Sequence, residues 1–429
     1  MAPGGDGERL DDGSAGTAPA SDRGRASEEE RLARIRLSRV IEPGDAALGR
    51  RLADVGAVGV CADLRANRPP PGVGAERWAG LRLRWREARP ERDLCTAQKP
   101  GIRFVCPGDA EWPAQLDDLG DVRPVGLWIH GGPSLRLLAV RSVAVVGSRA
   151  CTDYGAHVAA ELGAGLADRG WTVVSGGALG IDGAAHRGAL AVGGATVAVL
   201  ACGVDVPYPA PHADLLRRIA EQGLVVAELP PGWRPTRGRF LTRNRVLAAL
   251  TRGTVVVEAA VRSGALSTAR RAADVGRAVM GVPGSVLSTH SRGVHRLLRE
   301  EGVLVGGVEE ILELVGPMGE SGTRAGGGAR ADGSAVEPPA KPLVPRRVLT
   351  PEAERVLEAL PGPPGAEPLR VAVGACAGER ETLARLLELR ALGFAEQVRG
   401  RWFRSPLRGG TGEGSGTSPG SDGRPPDGR

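Results

Sequence analysis

The sequence has almost no lysine and few aromatic residues. Only Lys99 and Lys341 among its 56 basic residues are lysines, and aromatic residues make up 3% of the chain. Its six cysteines are widely scattered with no CxxC pair, which argues against a zinc site and a disulfide framework. No apolar run approaches the length that spans a bilayer, and no apolar core marks a signal peptide, so we expect a cytoplasmic protein without a membrane partner.

What the chain has in abundance is arginine, and one stretch concentrates it. Between Arg234 and Arg299 there are thirteen arginines against two acidic residues, Glu258 and Asp274. A folded segment this basic favours an anionic partner, and nucleic acid is the commonest large anion in a cell. The arginine bias is also typical of GC-rich coding sequence, but arginine brings bidentate phosphate recognition wherever it lies.

From Val140 onward, short apolar runs alternate with stretches of helical pattern. The runs are Val143–Val146, Trp171–Val174, Thr196–Leu200, Leu224–Ala227, Thr254–Val257 and Ala278–Val282. The helices between them are expected near 155–169, 183–193, 211–222, 242–251, 266–276 and 293–300. Near-continuous apolar strands joined by crossover helices predict a parallel sheet covered on both faces, which is a doubly wound α/β domain.

The flanks of this domain have other patterns. Residues 32–64 place apolar side chains at helical spacing, and residues 65–100 have no assignable pattern. Two helices, Thr350–Leu360 and Glu379–Leu392, followed by a hairpin turning at Arg399-Gly400, predict a small winged-helix-like module. The predicted organisation is a disordered tail at 1–30, a helical module (SAM or helix-hairpin-helix type) at 31–66, an irregular connector at 67–106, the α/β domain at 107–316, a flexible linker at 317–347, the winged-helix-like module at 348–405 and a disordered tail at 406–429.

Gly147-Ser148-Arg149 follows the first predicted strand of the α/β domain and precedes a helix. Ligands of open parallel sheets bind beyond the carboxyl ends of the strands, where N–H groups at a helix start attract phosphate. An ordinary strand-to-helix turn would have the same pattern. The G-x-G-x-x-G spacing and acidic partner of a dinucleotide site are missing, so no cofactor is expected.

Ser175-Gly176 opens a glycine-rich loop after the second strand, which indicates a tight turn or backbone that a ligand approaches closely. Asp182 and His186 follow at i, i+4 on the next helix. Because no third ligand is placed nearby, we expect a helix N-cap at Asp182 and local packing of His186, not a metal site.

The arginine-rich stretch contains one of the few aromatic residues, Phe240. Aromatic rings among guanidinium groups are typical of platforms that bind single strands, where bases stack and arginines hold the backbone. The alternative is that Phe240 packs in the core and the arginines form a solvated face. The candidate contacts here are Arg237, Phe240, Arg243, Asn244 and Arg245, with Ser263 and Gly264 at the start of a further helix as a second phosphate site.

No nucleophile, base and orienting group form a convincing catalytic set in the sequence, so a binding protein fits better than an enzyme. One enzymatic alternative is a Rossmann-like nucleotide phosphoribohydrolase that acts on nucleoside monophosphates. The signature loop of those enzymes, Pro-Gly-Gly-x-Gly-Thr-x-x-Glu, does not occur in this sequence. The nearest equivalents are Gly176-Gly177 and Glu258-Ala259. A protein-interaction scaffold whose basic face keeps it soluble is the third hypothesis.

Taken together and in order, these motifs resemble the DNA-processing protein A (DprA/Smf) family over about 107–314. The matching pieces are Val-Gly-Ser-Arg at 146–149, Ser-Gly…Gly-Ile-Asp at 175–182, Ala-Ala-His at 184–186, Tyr-Pro at 208–209, Phe-x-x-Arg-Asn-Arg at 240–245, Arg-Ser-Gly-x-Leu-x-Thr-Ala at 262–269 and Val-Pro-Gly at 282–284. The sequence departs from the family at Leu179, where Arg is usual, and at Leu241, where Pro is usual.

The resemblance implies an extended Rossmann-like domain that binds single-stranded DNA, forms homodimers and loads the RecA recombinase, without a catalytic reaction. The family's phosphate-holding residues correspond to Gly147, Ser148 and Arg149, its basic residue to Arg237 and its base-contacting phenylalanine to Phe240. The winged-helix-like module mixes arginines and glutamates on its second helix, which suits a protein contact at least as well as a DNA groove.

Overall fold

The computed structural model describes residues 26–97, 101–300, 302–316, 349–362 and 365–405. The predicted linker at 317–347, the tail at 406–429 and all but the last five residues of the tail at 1–30 lie outside these ranges. Within them, no helix is both long and apolar enough to cross a membrane.

Four helices form the N-terminal part of the structure. They are α1 (Glu28–Ser38), α2 (Ala46–Ala66), α3 (Ala75–Glu87) and α4 (Pro90–Ala97). The predicted helical pattern before residue 66 is confirmed, but the expectation of an irregular connector at 67–106 was wrong. Trp78 and Leu81 of α3 are buried in one cluster with Leu48 of α2, so two apolar residues three apart define a helix that the dense arginines conceal.

The α2 helix is interrupted at Gly56, which has a φ of 71°. Beyond this kink, the Glu30 carboxylate of α1 accepts hydrogen bonds from the backbone N–H groups of Ala57 (3.0 Å) and Val58 (3.3 Å). A carboxylate on free N–H groups at a helix start supplies the partners that the helix itself lacks. The contact ties α1 to the second half of α2.

A nine-stranded sheet forms the centre of the molecule. Its strands are β1 (Ile102–Val105), β2 (Leu127–His130), β3 (Ser142–Val146), β4 (Thr172–Ser175), β5 (Thr196–Leu200), β6 (Leu224–Ala227), β7 (Gly253–Val256), β8 (Ala278–Gly281) and β9 (Val303–Leu304). The six strands from β3 to β8 lie where the apolar runs predict them, and they pair in parallel. β1 and β2 were not predicted, and both pair antiparallel at one edge.

Helices cover both faces of the sheet. They are α5 (Leu135–Val140), α6 (Asp153–Asp168), α7 (Ile181–Ala191), α8 (Ala213–Gln222), α9 (Arg237–Leu250), α10 (Gly264–Asp274), α11 (Arg292–Glu300) and α12 (Val308–Val315). The strand order β1-β2-β6-β5-β4-β3-β7-β8-β9 shows the doubly wound α/β class, extended by antiparallel strands at one edge. The chain winds outward from β3 to β6 and then returns to β7 on the other side of β3.

The C-terminal part contains α13 (Pro351–Ala359), α14 (Pro368–Gly374) and α15 (Glu379–Ala391), followed by the hairpin of β10 (Ala395–Val398) and β11 (Arg401–Arg404). The two predicted helices and the turn at Arg399-Gly400 are confirmed, and α14 is an additional helix. The winged-helix assignment stays a prediction. Residues of α15, including Leu386 and Leu389, share a core cluster with Leu135 and Leu138 of α5, so this helix packs against the sheet domain.

Candidate nucleic-acid interface

The reversal of strand order at β3 creates a crevice at the carboxyl ends of β3 and β7. The loops that follow these two strands meet there, and the backbone N–H of Ser148 donates to the carbonyl oxygen of Glu258 (2.8 Å). Open α/β sheets bind their ligands at this kind of position. A cleft of about 900 Å³ lies over it.

The lining of the cleft comes from these two loops, from α9 and α10, and from the segments that follow β4 and β5. It includes Gly147, Ser148, Arg149, Ala178, Asp182, Tyr208, Thr236, Arg237, Phe240, Leu241, Arg243, Asn244, Arg262, Ser263, Gly264, Ser267 and Thr268. Nine of the twelve candidate residues from the sequence are therefore brought together. The other three, Ser175, Gly176 and Arg245, lie outside the lining.

In the loop after β3, only the third residue offers its side chain freely to the cleft. A Cβ at Gly147 would lie 2.5 Å from the Ile181 side chain, so this glycine is required for packing against the start of α7. The Ser148 hydroxyl donates to the Ala150 carbonyl oxygen at 2.9 Å. Arg149 is exposed, with its guanidinium carbon 4.7 Å from the centroid of the Phe240 ring.

Two aromatic rings stand together at the cleft. Phe240, in the first turn of α9, is half-buried, and its ring centroid lies 5.7 Å from that of Tyr208 at an interplanar angle of 48°. Together with Arg149, the two tilted rings form a cluster of one guanidinium group and two aromatic side chains. The sequence identified Phe240 as a candidate contact but named Tyr208 only within the Tyr-Pro motif, because nothing in Tyr-Pro indicates which ring it meets.

Two more exposed arginines line the cleft without an ion pair. Arg237 begins α9 and Arg262 lies in the loop before α10; within the described ranges neither has a hydrogen-bond or ion-pair partner for its side chain. Arg262 belongs to the Arg-Ser-Gly motif but was not singled out as a contact from the sequence. Together with Arg149, these side chains supply three guanidinium groups free for an anionic ligand.

Gly176 is approached closely, as its glycine-rich loop predicts, but by a side chain of the protein itself. A Cβ at Gly176 would lie 2.4 Å from the Arg243 guanidinium nitrogens. Arg243 donates to the Val199 carbonyl oxygen, and burial lowers its pKa although the Asp182 carboxylate opposes that shift. The proposed phosphate contact at Gly176 is therefore corrected, since Arg243 fills that space.

Ser175 is fully buried, and its hydroxyl donates to the Val145 carbonyl oxygen (2.6 Å), so it joins β4 to β3 and does not face a ligand. Arg245 is also buried. Its two terminal nitrogens donate to the two carboxylate oxygens of Glu228 at 2.7 and 2.8 Å. A bidentate pair of this kind saturates the fork of the guanidinium, so the prediction that Arg245 holds phosphate is corrected.

The remaining candidates shape the wall formed by α9 and α10. Asn244 is buried and its Nδ2 donates to the Gly264 carbonyl oxygen (3.3 Å). Ser263 is the N-cap of α10, and its hydroxyl accepts from the Ala265 N–H at 3.3 Å. Gly264 is exposed, and a Cβ there would meet open space. These contacts fix the α10 N-terminus beside the first turns of α9.

The two acids nearest the cleft are committed to the fold. Both carboxylate oxygens of the buried Glu258 bind Thr152 at the start of α6, one to its N–H (2.9 Å) and one to its hydroxyl (2.6 Å). Asp182 is not the N-cap expected of it, because Gly180 occupies that position. Its Oδ2 accepts from the Gly176 N–H (3.1 Å), and burial raises its pKa.

His186 packs locally, as expected. It is fully buried, its Nδ1 lies 2.8 Å from the Thr196 hydroxyl, and burial lowers its pKa to about 3. No group of three or more metal-ligating side chains occurs in the described ranges. Within those ranges, Asp182 is the one acidic side chain that lines the cleft.

The thirteen arginines between 234 and 299 are not equally available. Among the residues that the structure describes, five of them form ion pairs, mostly with acids from outside that stretch: Arg239 with Glu42, Arg245 with Glu228, Arg271 with Asp274, Arg277 with Asp118, and Arg296 with Glu300. The net charge of the stretch therefore overstates its pull on an anion. The arginines available to a ligand are identified by their position at the cleft, and not by the net charge of the stretch.

Comparison with known proteins agrees with this geometry. Residues 103–316 match the family model described as DNA recombination-mediator protein A. A DprA protein of Mycobacterium tuberculosis is 44% identical over 388 residues, covering 88% of this chain and 94% of that protein. DNA processing protein DprA of Streptococcus pneumoniae is 43% identical over 201 residues, covering 47% of this chain and 70% of that protein. A crystal structure of the pneumococcal protein superposes with a TM-score of 0.57 at 32% identity, covering 67% of this chain and 98% of that one.

Proposed function

This chain belongs to the DNA recombination-mediator protein A (DprA/Smf) family, and we propose that it binds single-stranded DNA in the cleft and loads a RecA-type recombinase onto that strand. In this proposal it acts in the cytoplasm as a homodimer and as a binding protein, without a catalytic reaction. The site supports a ligand that combines closely spaced anionic groups with flat apolar surfaces, which describes an unpaired nucleic-acid strand.

One observation carries the proposal: the cluster of Arg149, Phe240 and Tyr208 lines the cleft, beside Arg237, which has no ion-pair partner among the described residues. Bases that are not paired can stack on such rings, whereas the bases of a duplex are already stacked on one another. The guanidinium groups can meanwhile hold the backbone phosphates. We therefore expect preference for single strands over duplexes and little dependence on base sequence.

The test is fluorescence anisotropy of a labelled single-stranded oligonucleotide titrated at several salt concentrations, beside the same sequence as a duplex. Tighter binding to the single strand, with an affinity that falls steeply as salt rises, is expected. Arg149→Ala and Arg237→Ala should each reduce the slope of log affinity against log salt by about 0.7.

Arg218→Ala is the matched control, because this exposed arginine of α8 lies outside the cleft lining and has no described partner. Equal binding to both DNA forms, or wild-type binding by both cleft variants, would overturn the proposal. Recombinase loading is tested separately. The rate of RecA filament assembly on the strand should rise with added protein and fall again in Arg149→Ala, while sedimentation velocity measures the dimer.

A further inference from the structure

A second groove runs between α10 and α11, next to the cleft. It has a volume of about 580 Å³ and is lined by Ser267, Arg270, Arg271, Asp274, Arg296 and Glu300, among other residues. Its polar lining consists of three arginines, two carboxylates and one serine hydroxyl. The motif at 262–269 contributes only Leu266 and Ser267 to it, and the proposed function of the cleft does not use its arginines.

The groove and the cleft meet at α10. Gly264 and Thr268, in the first turn and a half of this helix, line the cleft, and the α10 residues that line the groove are Leu266, Ser267, Arg270, Arg271, Ala273 and Asp274. Ser267 lines both. A helix of eleven residues is about 16 Å long, so a strand that crosses its first turn has room for several phosphates beside the rest of the helix.

The charges along this path favour an anion. On α11, the exposed Arg296 lines the groove, whereas the exposed Arg292 and Arg299 lie outside its lining. On α10, Arg270 is exposed and has no ion-pair partner among the described residues. The path therefore continues the basic surface that begins at Arg262.

The two acids in the groove do not cancel this charge. Glu300 pairs with Arg296 at 2.7 Å, but both side chains are about half exposed, and Arg271 and Asp274 are 3.9 Å apart. Exposed ion pairs contribute little, and a phosphate can displace such a carboxylate without uncovering a buried charge. No aromatic side chain is among the described residues that line the groove.

We infer that the α10–α11 groove is a second binding segment for the phosphate backbone of a nucleic-acid strand that leaves the cleft over the first turn of α10. The inference rests on the proposed function of the cleft. In this division, the cleft holds bases and phosphates, and the groove holds phosphates only. Long strands should therefore bind more tightly than short ones, through added contacts that are sensitive to salt and indifferent to base.

The experiment compares oligonucleotides of about 4 to about 20 nucleotides, bound to the full chain and to a double variant, Arg270→Ala with Arg296→Ala. Both substitutions are on exposed helix positions, where alanine favours the helix. The matched control is Arg217→Ala with Arg218→Ala on α8. That pair also combines an arginine in an i, i+4 ion pair with glutamate and an exposed arginine without a described partner, and it removes the same charge.

The double variant should bind the shortest oligonucleotides like wild type and the longest about tenfold more weakly, with a salt slope smaller by about 1.4. Unchanged affinity for long oligonucleotides would overturn the inference and leave the cleft proposal standing. An equal loss in the control pair would also overturn it, since generic charge would then explain the effect. If the wild-type chain binds no short oligonucleotide that fits the cleft, the cleft proposal fails, and the inference with it.

Discussion

Two arginines of α9, eight residues apart, have opposite roles: one lies in the first turn of the helix and the other in its middle. Arg237 is exposed at the cleft and has no described partner, whereas Arg245 is buried against Glu228 in a bidentate ion pair. Both belong to one basic stretch and look alike in the sequence. The difference shows that arginine serves ligand binding where the fold leaves the guanidinium open, and serves stability where the fold supplies a carboxylate.

The strongest test of this comparison removes the buried guanidinium. Arg245→Ala leaves the Glu228 carboxylate largely buried without its partner, so the free energy of unfolding should fall by about 3–5 kcal/mol. Urea denaturation measures this loss. Arg237→Ala should change stability by less than about 0.5 kcal/mol, since its side chain is exposed. Similar losses in the two variants would erase the distinction.

A second test separates stacking from charge within the cleft. Phe240→Leu should weaken single-strand binding by about 1–3 kcal/mol without changing the salt slope, because the lost contact carries no charge. Arg149→Ala should change the slope instead. Since Arg149 lies over the Phe240 ring, the double variant should lose less than the sum of the single variants. A changed slope in Phe240→Leu would contradict this division, which anisotropy at several salt concentrations can reveal.

The smallest expected effect concerns a buried acid where the C-terminal part meets the sheet domain. Glu388 of α15 accepts from the Ser134 N–H at 2.6 Å and from Arg385 at 2.7 Å. Burial raises its pKa to about 7, with Glu111 adding to the shift and Arg385, the Ser134 N–H and Arg103 opposing it. A carboxyl whose folded pKa is raised stabilises the folded state when protonated, and this contribution is lost as pH rises through about 7.

Stability of the contact between α15 and α5 should therefore decrease from pH 6 to pH 8, by about 1 kcal/mol. Hydrogen exchange of the α15 amides at the two pH values measures it. In Glu388→Gln this part of the pH dependence should disappear, because the amide does not titrate. If the pH dependence of exchange survives in Glu388→Gln, another group causes it. Nucleic-acid binding in the cleft should not change with pH in this way.

Much of the fold could be predicted because its strongest signals are local. Six buried strands appear as apolar runs, and their crossover helices were placed within a few residues. The antiparallel strands β1 and β2 were missed, since Ile102–Val105 and Leu127–His130 are short and stand apart from the alternating pattern. The α3 helix was missed because arginines hide its narrow apolar side, which Trp78 and Leu81 define.

The site was less predictable, since the sequence shows residue types but not partners. Phe240 and Arg149 could be found from composition and motif order. The partner of Arg245, Glu228, lies 17 positions away in the sequence, and Gly176, whose space Arg243 fills, lies 67 positions from that arginine. Neither contact can be read from the local sequence. Tyr208 was missed as a stacking residue for the same reason, because only the folded chain places it beside Phe240.

The contact between Gly176 and Arg243 also constrains how relatives of this protein can diverge. A Cβ at position 176 would lie 2.4 Å from the guanidinium nitrogens and would displace the Arg243 side chain from the Val199 carbonyl oxygen. A shorter residue at position 243 would remove that donor and the cation that opposes the raised pKa of the buried Asp182. A single substitution at either position should destabilise the folded state. We therefore expect the two to be inherited as a unit, with glycine retained wherever the arginine is kept and both replaced in the same lineages.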